Sequence, residues 1–116
     1  MVRSYKELRV WERSRRLVKL VYQITRGFPS DEQYGMVSQM RRSALSIPSN
    51  IAEGYVRSTK KEFRQFVAVA RGSCAELETQ TVIASDLNYL TSGEGETLLR
   101  EIEVVAKMLS SLFGKL

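Results

Sequence analysis

The sequence predicts an all-α protein folded as an up-down-up-down antiparallel four-helix bundle. Apolar residues recur at steps of three and four along most of the 116 residues, and only two prolines interrupt them. Short segments containing glycine, proline or serine divide this pattern into four stretches. Because short connections make consecutive helices run antiparallel, four such stretches predict a bundle. At this length, residues 1–116 are expected to form one domain around one core.

The first helix is predicted over residues 5–25. At about 100° per residue its apolar positions span roughly 160° around the axis, which is wider than a surface helix needs to cover one core. Gly27 and Pro29 then stop the helix, and Ser30 with Gln33 forms a capping-box pattern that starts the next one. The apolar positions are Val10, Trp11, Leu17, Val18, Val21, Tyr22 and Ile24.

The second helix is predicted over residues 31–54, through the stretch SIPSNIAEGY. Its apolar residues form a heptad seam that keeps its phase on both sides of Pro48. Proline inside a helix removes a backbone donor and crowds the carbonyl four residues back, so we expect a kinked, continuous helix ending near Gly54. The alternative is that Asn50 and Glu53 cap a separate short helix. The seam residues are Val37, Met40, Ala44, Ile47 and Ile51.

A stripe of mostly small polar residues runs beside this seam at the same spacing. Lys and Glu usually fill a solvated helix face, whereas serine and asparagine allow close approach and fix register when hydrogen-bonded. We therefore expect a packed structural or assembly seam, either within the bundle or against a second copy. The alternative is a solvent-exposed face. The candidate seam residues are Gln39, Ser43, Ser46, Pro48, Asn50, Glu53 and Gly54.

Two further helices are predicted over residues 59–90 and 95–115. Thr59 and Glu62 form a capping-box pattern at the start of the third helix. The stretch TSGEG at 91–95 predicts the turn before the fourth.

A strip of small residues on the outer side of the third helix is suited to close contact with another surface. Together with the wide apolar arc of the first helix and the polar stripe of the second, it offers more contact surface than one bundle uses. The sequence therefore predicts a homo-oligomer. The strip consists of Ala68, Gly72 and Ala75.

Charge is distributed unevenly along the chain, whose formal net charge is +5. Residues 1–72 carry fifteen Lys or Arg against six Asp or Glu, and residues 73–116 carry three against seven. Clustered cations favour nucleic-acid backbones through counterion release, and no exposed aromatic array predicts base readout, so binding is expected to be sequence-nonspecific. The candidate residues are Arg41, Arg42, Arg57, Lys60, Lys61 and Arg64 near the junction of the second and third helices, with Lys6, Arg9, Arg13 and Arg16 along one edge of the first.

The alternative is that these basic residues form solvated faces. In that case Arg41 or Arg57 would pair with an acid such as Glu53, or with the acidic fourth helix of a neighbour. Glu53 is also the one acid of the polar stripe whose burial is worth examining, and a buried glutamate is more often a structural partner of arginine than a catalyst.

No catalytic residue, metal or cofactor is expected. The chain contains no histidine, which removes the commonest general base and metal ligand and argues against a histidine-dependent nuclease. It contains no GxxxxGK[ST] phosphate loop, and Glu76, Glu78 and Asp86 are too scattered to form a metal site. The single cysteine, Cys74, lies among core-spaced residues and is interpreted as a buried small hydrophobe.

A cytoplasmic location is expected, without membrane association. No apolar run approaches the roughly 18 residues that a membrane span needs. The N-terminal residues are charged throughout and lack the apolar block of a secretory signal.

Three stretches carry a family resemblance: YGMVSQMRRSALSIPSNIAEGY, EFRQFVAVARGSCAELETQ and AKMLSSLFGKL. The chain, from about Tyr5 to Leu116, resembles the four-helix-bundle proteins encoded in intervening sequences of bacterial 23S ribosomal RNA genes. The resemblance implies a bundle that assembles as a ring of five, with no established enzymatic activity. The matching positions are Ser38, Gln39, Arg41, Arg42, Ser46, Ile47, Pro48, Asn50, Ile51, Ala52, Glu53 and Gly54.

A related protein is the accessory subunit of diversity-generating retroelements, in which a basic pentamer binds nucleic acid and a reverse transcriptase. The leading hypothesis is therefore a non-enzymatic, basic homo-oligomer, pentameric by resemblance, that binds RNA or DNA backbones as a scaffold or ribonucleoprotein accessory factor. The alternative is a protein-interaction module that docks a larger partner such as a reverse transcriptase.

Overall fold

The computed structural model describes residues 3–116, which form four α-helices and two short 3-10 helices and contain no strand. No helix in this part of the chain is both long and apolar enough to cross a bilayer. The α-helices are α1 (Arg9–Thr25), α2 (Met36–Tyr55), α3 (Lys60–Asp86) and α4 (Ser92–Lys115), and the 3-10 helices are Tyr5–Glu7 and Ser30–Glu32.

The four α-helices pack as a closed square. Each packs against the next in sequence, α1 also packs against α4, and the backbones of the two diagonal pairs do not approach within 8 Å between Cα atoms. The bundle measures 43 × 24 × 19 Å, and the connections between consecutive helices are short. Short connections make neighbouring helices antiparallel, so the predicted all-α four-helix bundle is confirmed.

The core lies where the heptad seam of α2 predicts it. Val37, Met40, Ala44, Ile47 and Ile51 are at most 2% exposed. The wider arc of α1 divides into two parts, because Val10, Leu17, Val21 and Ile24 are buried whereas Trp11, Val18 and Tyr22 remain partly exposed.

Helix α2 runs without interruption through Pro48. The amide of the Asn50 side chain donates to the carbonyl oxygen of Ser46 at 2.8 Å and to the Ser46 hydroxyl at 2.9 Å. Asn50 therefore supports the turn around the proline from within the helix, and the alternative of a separate helix capped by Asn50 is wrong. The kink expected at Pro48 stays a prediction.

The first two helix starts differ from the prediction. The chain is extended at Leu8, so a 3-10 turn capped by Ser4 precedes α1. Ser30 and Gln33 make no capping box, and α2 begins at Met36 instead of residue 31. The carboxylate of Glu32 accepts the backbone N–H of Met36 at 3.0 Å, because an acid there satisfies an orphan donor and is favoured by the helix dipole.

The boundaries of α3 and α4 also differ. Thr59 caps α3 as predicted, but α3 ends at Asp86, and Asn88 takes a left-handed backbone with φ of 61°. Thr91 and Glu94 form a complete capping box, so α4 begins at Ser92 and includes most of the stretch predicted as a turn.

The connection before α2 and the connection before α4 meet through one short hydrogen bond. Tyr89 donates its hydroxyl to Oε2 of Glu32 at 2.6 Å. This bond, followed by the bond from the Met36 N–H, lowers the pKa of Glu32 below its ordinary value. A carboxyl whose pKa is lower in the folded state stabilises the fold above its unfolded pKa, and that contribution is lost as pH falls through the folded pKa.

Tyr89→Phe is therefore expected to lower the free energy of unfolding at neutral pH and to reduce its dependence on pH in the acidic range. The stability gap between wild type and Tyr89→Phe should be largest near neutral pH and should narrow as Glu32 becomes protonated. Urea unfolding across the acidic range measures this gap. Tyr34→Phe is the matched control because Tyr34 is 95% exposed. Identical pH profiles for the two variants would contradict the assignment.

Candidate nucleic-acid interface

Both ends of the bundle can be assigned from contacts between helix termini. At one end the rings of Tyr55 and Phe63 lie 5.8 Å apart, where α2 ends and α3 begins. The C-terminal turn of α4 reaches the same end, because Phe113 contacts Arg64 of α3. The start of α1 joins them, since Arg9 and Lys115 line one cavity. We call this end the basic end, defined by Lys6, Arg9, Arg57, Lys60, Lys61, Arg64 and Lys115.

The opposite end carries acids. It contains the connection from α1 to α2 and the connection from α3 to α4, which meet at Glu32 and Tyr89. The charge asymmetry in the sequence thus becomes a charge difference along the long axis. The acids at or beside this end are Asp31, Glu32, Asp86, Glu94 and Glu96.

The four basic residues predicted along the first helix line one groove against α4. Lys6, Arg9, Arg13 and Arg16 border a cavity of about 400 Å³. Arg13 is the one that is neutralised, since its Nε lies 3.2 Å from Oε1 of Glu101. The remaining three are exposed.

The basic residues at the α2–α3 junction differ in their partners. Arg57 pairs with Glu53 at 3.2 Å and stacks over Phe66 at 4.9 Å, which confirms the pairing considered from the sequence. Lys60 and Lys61 are exposed in the first turn of α3.

The expectation that Arg41 and Arg42 cluster with this junction is wrong. Arg42 precedes Tyr55, the last residue of α2, by thirteen residues, a distance of roughly 20 Å along the axis. Arg41 lies against the end of α1, where its Nε donates to the Thr25 hydroxyl at 3.0 Å and its guanidinium stacks on Tyr22 at 4.3 Å. Arg41 therefore connects α1 to α2.

Two residues of this region were missed by sequence reasoning. Lys115 reaches the basic end because the fourth helix of an antiparallel bundle finishes where the first begins. Arg71 lies seven residues after Arg64 and therefore on the same face of α3, and both guanidinium groups contact Phe113. Their i, i+7 spacing is the feature of the sequence from which the shared face of the two arginines could have been predicted.

The centre of the polar stripe packs against α3 within one chain. Ser43 donates to Oε1 of Glu76 at 3.1 Å, and the hydroxyls of Ser46 and Ser73 are 2.8 Å apart. Gln39 and Glu53, at the two ends of the stripe, are exposed. Pro48 borders the α1–α2 groove, and Gly54 is buried against α3.

Two lateral faces of the bundle carry apolar grooves on opposite sides. The α1–α2 groove has a volume of about 380 Å³ and is lined by Trp11, Val18, Leu45 and Pro48, with Arg15 and Lys19 beside them. The α3–α4 groove has a volume of about 650 Å³ and is lined by Val82, Ile83 and Leu99, with Glu78, Glu96, Arg100 and Glu103 beside them.

The remaining reactive groups considered from the sequence are the scattered acids, Cys74 and Glu53. Residues 3–116 contain no cluster of His, Cys, Asp or Glu that could hold a metal ion. Cys74 is 2% exposed, as predicted, and burial together with the charge of Glu78 raises the pKa of its thiol to about 12. Glu53 is exposed and paired, so it is not a buried acid.

Comparison with known proteins agrees with this architecture. The chain is similar over 90% of its length to a solved helical protein of unknown function from the S23 ribosomal protein family of Bacteroides thetaiotaomicron. The two share 23% identity with a TM-score of 0.82, and 97% of the other chain is covered, which establishes the likeness of fold. No curated protein matches the chain. The family model described as 23S rRNA-intervening sequence protein matches residues 6–111, and the chain therefore belongs to that family.

Proposed function

We propose that this protein is a non-enzymatic, basic homo-oligomer that binds the phosphate backbone of RNA or DNA as a scaffold or accessory factor. The observation that carries the proposal is the convergence on one end of cations from α1, α3, α4 and the α2–α3 connection, while the opposite end carries acids. A polyanion would be attracted to the basic end and repelled by the other. Binding there releases counterions and weakens as salt is added.

Contacts with phosphates are favoured over contacts with bases. Tyr55, Phe63 and Phe113 lie near the basic end, but each ring packs against another ring or an arginine. The most exposed aromatic residue of the described chain, Tyr34, precedes α2 at the opposite end. Without open rings on which bases can stack, recognition would depend little on sequence.

Self-association is supported by the two lateral grooves. Both are apolar, they lie on opposite sides, and the basic residues beside one complement the acids beside the other. A contact between two different faces repeats from copy to copy and forms a ring when the rotation closes. Cyclic symmetry would place every basic end on the same side of the ring, where several weak contacts add through avidity. The family resemblance implies five copies.

Solution mass measured together with nucleic-acid binding tests this proposal. Light scattering should give a multiple of the 13.2 kDa chain, and affinity for single-stranded RNA and duplex DNA should fall steadily with added KCl. A monomer without nucleic-acid affinity would overturn the proposal. Binding that does not depend on salt would overturn its electrostatic basis.

Docking of a larger protein, such as a reverse transcriptase, is the second candidate function. The exposed Leu87 favours it, because it follows Ile83 by one helical turn and so continues the apolar surface of the α3–α4 groove, in which Val82 and Ile83 are themselves exposed. A pull-down after nuclease treatment separates the two functions. Retention of one defined protein would support docking, and loss of all partners would support nucleic-acid binding.

A further inference from the structure

One aromatic ring near the basic end lies against two arginines. The guanidinium carbon of Arg64 is 3.8 Å from the centroid of the Phe113 ring, and that of Arg71 is 4.6 Å from it. The two arginines are seven residues apart, about two turns, and so share one face of α3. Phe113 comes from α4, so one side chain of the neighbouring helix positions both cations.

These two arginines differ from the others that stack on rings in the described chain. No carboxylate or other hydrogen-bonding group among residues 3–116 pairs with Arg64 or Arg71, and both are exposed. Their charges and N–H donors are therefore available to a ligand. The other ring-stacked arginines are Arg15, paired with Glu12; Arg57, paired with Glu53; and Arg41, hydrogen-bonded to Thr25.

We propose that Arg64 and Arg71, held in place by Phe113, form a binding site for phosphodiester groups of a nucleic-acid strand. The site rests on the proposed function and gives it a defined location. A planar guanidinium binds phosphate oxygens through paired hydrogen bonds, and stacking on a ring fixes its plane in advance. Two neighbouring cations also repel each other, and bound phosphate relieves that repulsion.

A groove beside Arg71 gives the strand room to approach. It has a volume of about 450 Å³, and its walls are mostly small residues of α3 and α4, joined by Cys74, Ile102 and the hydroxyl of Ser110. Small side chains let a ligand backbone come close to the helices. Glu78 lies at the far side of the groove and would repel phosphates, so the favoured path runs from the groove toward the basic end. The small residues are Ala68, Gly72, Ala75 and Ala106.

The double variant Arg64→Ala/Arg71→Ala tests the site against a control with the same change of charge, Arg26→Ala/Arg42→Ala. Arg26 and Arg42 are exposed and lie away from the basic end. Fluorescence anisotropy with a labelled single-stranded RNA should show on the order of tenfold weaker binding for the test variant at low salt. Its salt slope should be smaller by about 1.4, the value for two lost phosphate contacts to a single strand. The control should stay within about twofold of wild type, the expectation for charges outside the contact.

Phe113→Leu separates positioning from charge. Leucine keeps the apolar contact and both cations but removes the ring, so affinity should fall about threefold with an unchanged salt slope. Wild-type affinity in Phe113→Leu would overturn the role of the ring.

Strands with a 5′-hydroxyl and strands with a 5′-phosphate are expected to bind equally, because the site is assigned to internal phosphodiesters. A preference for the phosphorylated strand that disappears in Arg64→Ala/Arg71→Ala would overturn that assignment.

The failure of this site can be distinguished from the failure of the proposed function. If wild type binds nucleic acid and Arg64→Ala/Arg71→Ala behaves like its control, only the site is overturned. If wild type binds no nucleic acid at any salt concentration, both the proposed function and the site are overturned. Thermal unfolding of each variant confirms that the bundle is intact before its affinity is compared.

Discussion

Gly54→Ala is expected to lower the free energy of unfolding by about 2 kcal/mol, because α2 and α3 are too close at this point to admit a methyl group. A Cβ at Gly54 would lie 2.6 Å from Cβ of Phe66 and 3.0 Å from Cδ1 of Phe63. The Phe66 Cβ is fixed to the backbone of α3, so it cannot rotate away. Relief requires the helices to separate, which costs more than the roughly 1 kcal/mol that alanine gains in helix propensity.

Gly72→Ala is the matched control for this substitution. Gly72 also lies inside a helix, but a Cβ there would meet no atom within 4 Å. The same change is therefore expected to raise the free energy of unfolding by about 0.5 to 1 kcal/mol. Urea unfolding at one fixed protein concentration compares the two variants. A stability gain for Gly54→Ala equal to that for Gly72→Ala would show that the helices are not held at this distance.

Gly54 shows that the end of a helix can be predicted from sequence while the role of the glycine near it cannot. The sequence indicates that the helix stops near Gly54, since glycine commonly follows the last turn. In the structure Gly54 is buried within α2, which continues to Tyr55. Glycine serves both as a terminator and as a point of close helix contact, and only the position of Phe66 on another helix distinguishes the two.

The core and the number of helices could be predicted because periodicity records which side of a helix is buried. Ile47 and Ile51 keep the phase of the seam across Pro48, and both are fully buried. Helix starts were harder to predict because several side chains could cap the same turn. Glu32 satisfies the N–H of Met36, a choice that also depends on Tyr89, fifty-seven residues away.

The basic residues could be identified from the sequence, but their grouping could not. From their order in the sequence, Arg41 and Arg42 are expected near the α2–α3 junction. In the structure most of the length of α2 separates them from it. Arg41 is held by Tyr22 of α1. Lys115 is far from the junction in sequence and joins the same end through the antiparallel topology. Charge clusters in a bundle therefore follow helix ends more closely than sequence order.

Lys60→Glu/Lys61→Glu is expected to weaken nucleic-acid binding by about 100-fold or more at low salt, because it replaces two cations of the basic end with two anions. The salt slope should fall by about two on duplex DNA if both lysines contact phosphates. Both residues are exposed in the first turn of α3, where the helix dipole disfavours lysine. Glutamate there is favoured by about 0.3 to 1 kcal/mol, so the variant should be at least as stable as wild type.

This opposite effect on folding and on binding makes the substitution decisive. A surface variant that loses binding is usually open to the objection that it has unfolded, but here weaker binding is expected together with equal or higher stability. Arg26→Glu/Arg42→Glu carries the same charge change away from the basic end and should alter affinity by only a few-fold. Equal losses in the two variants would show that net charge drives binding. A loss confined to Lys60→Glu/Lys61→Glu would assign binding to the basic end, where α1, α3, α4 and the α2–α3 connection bring their cations together.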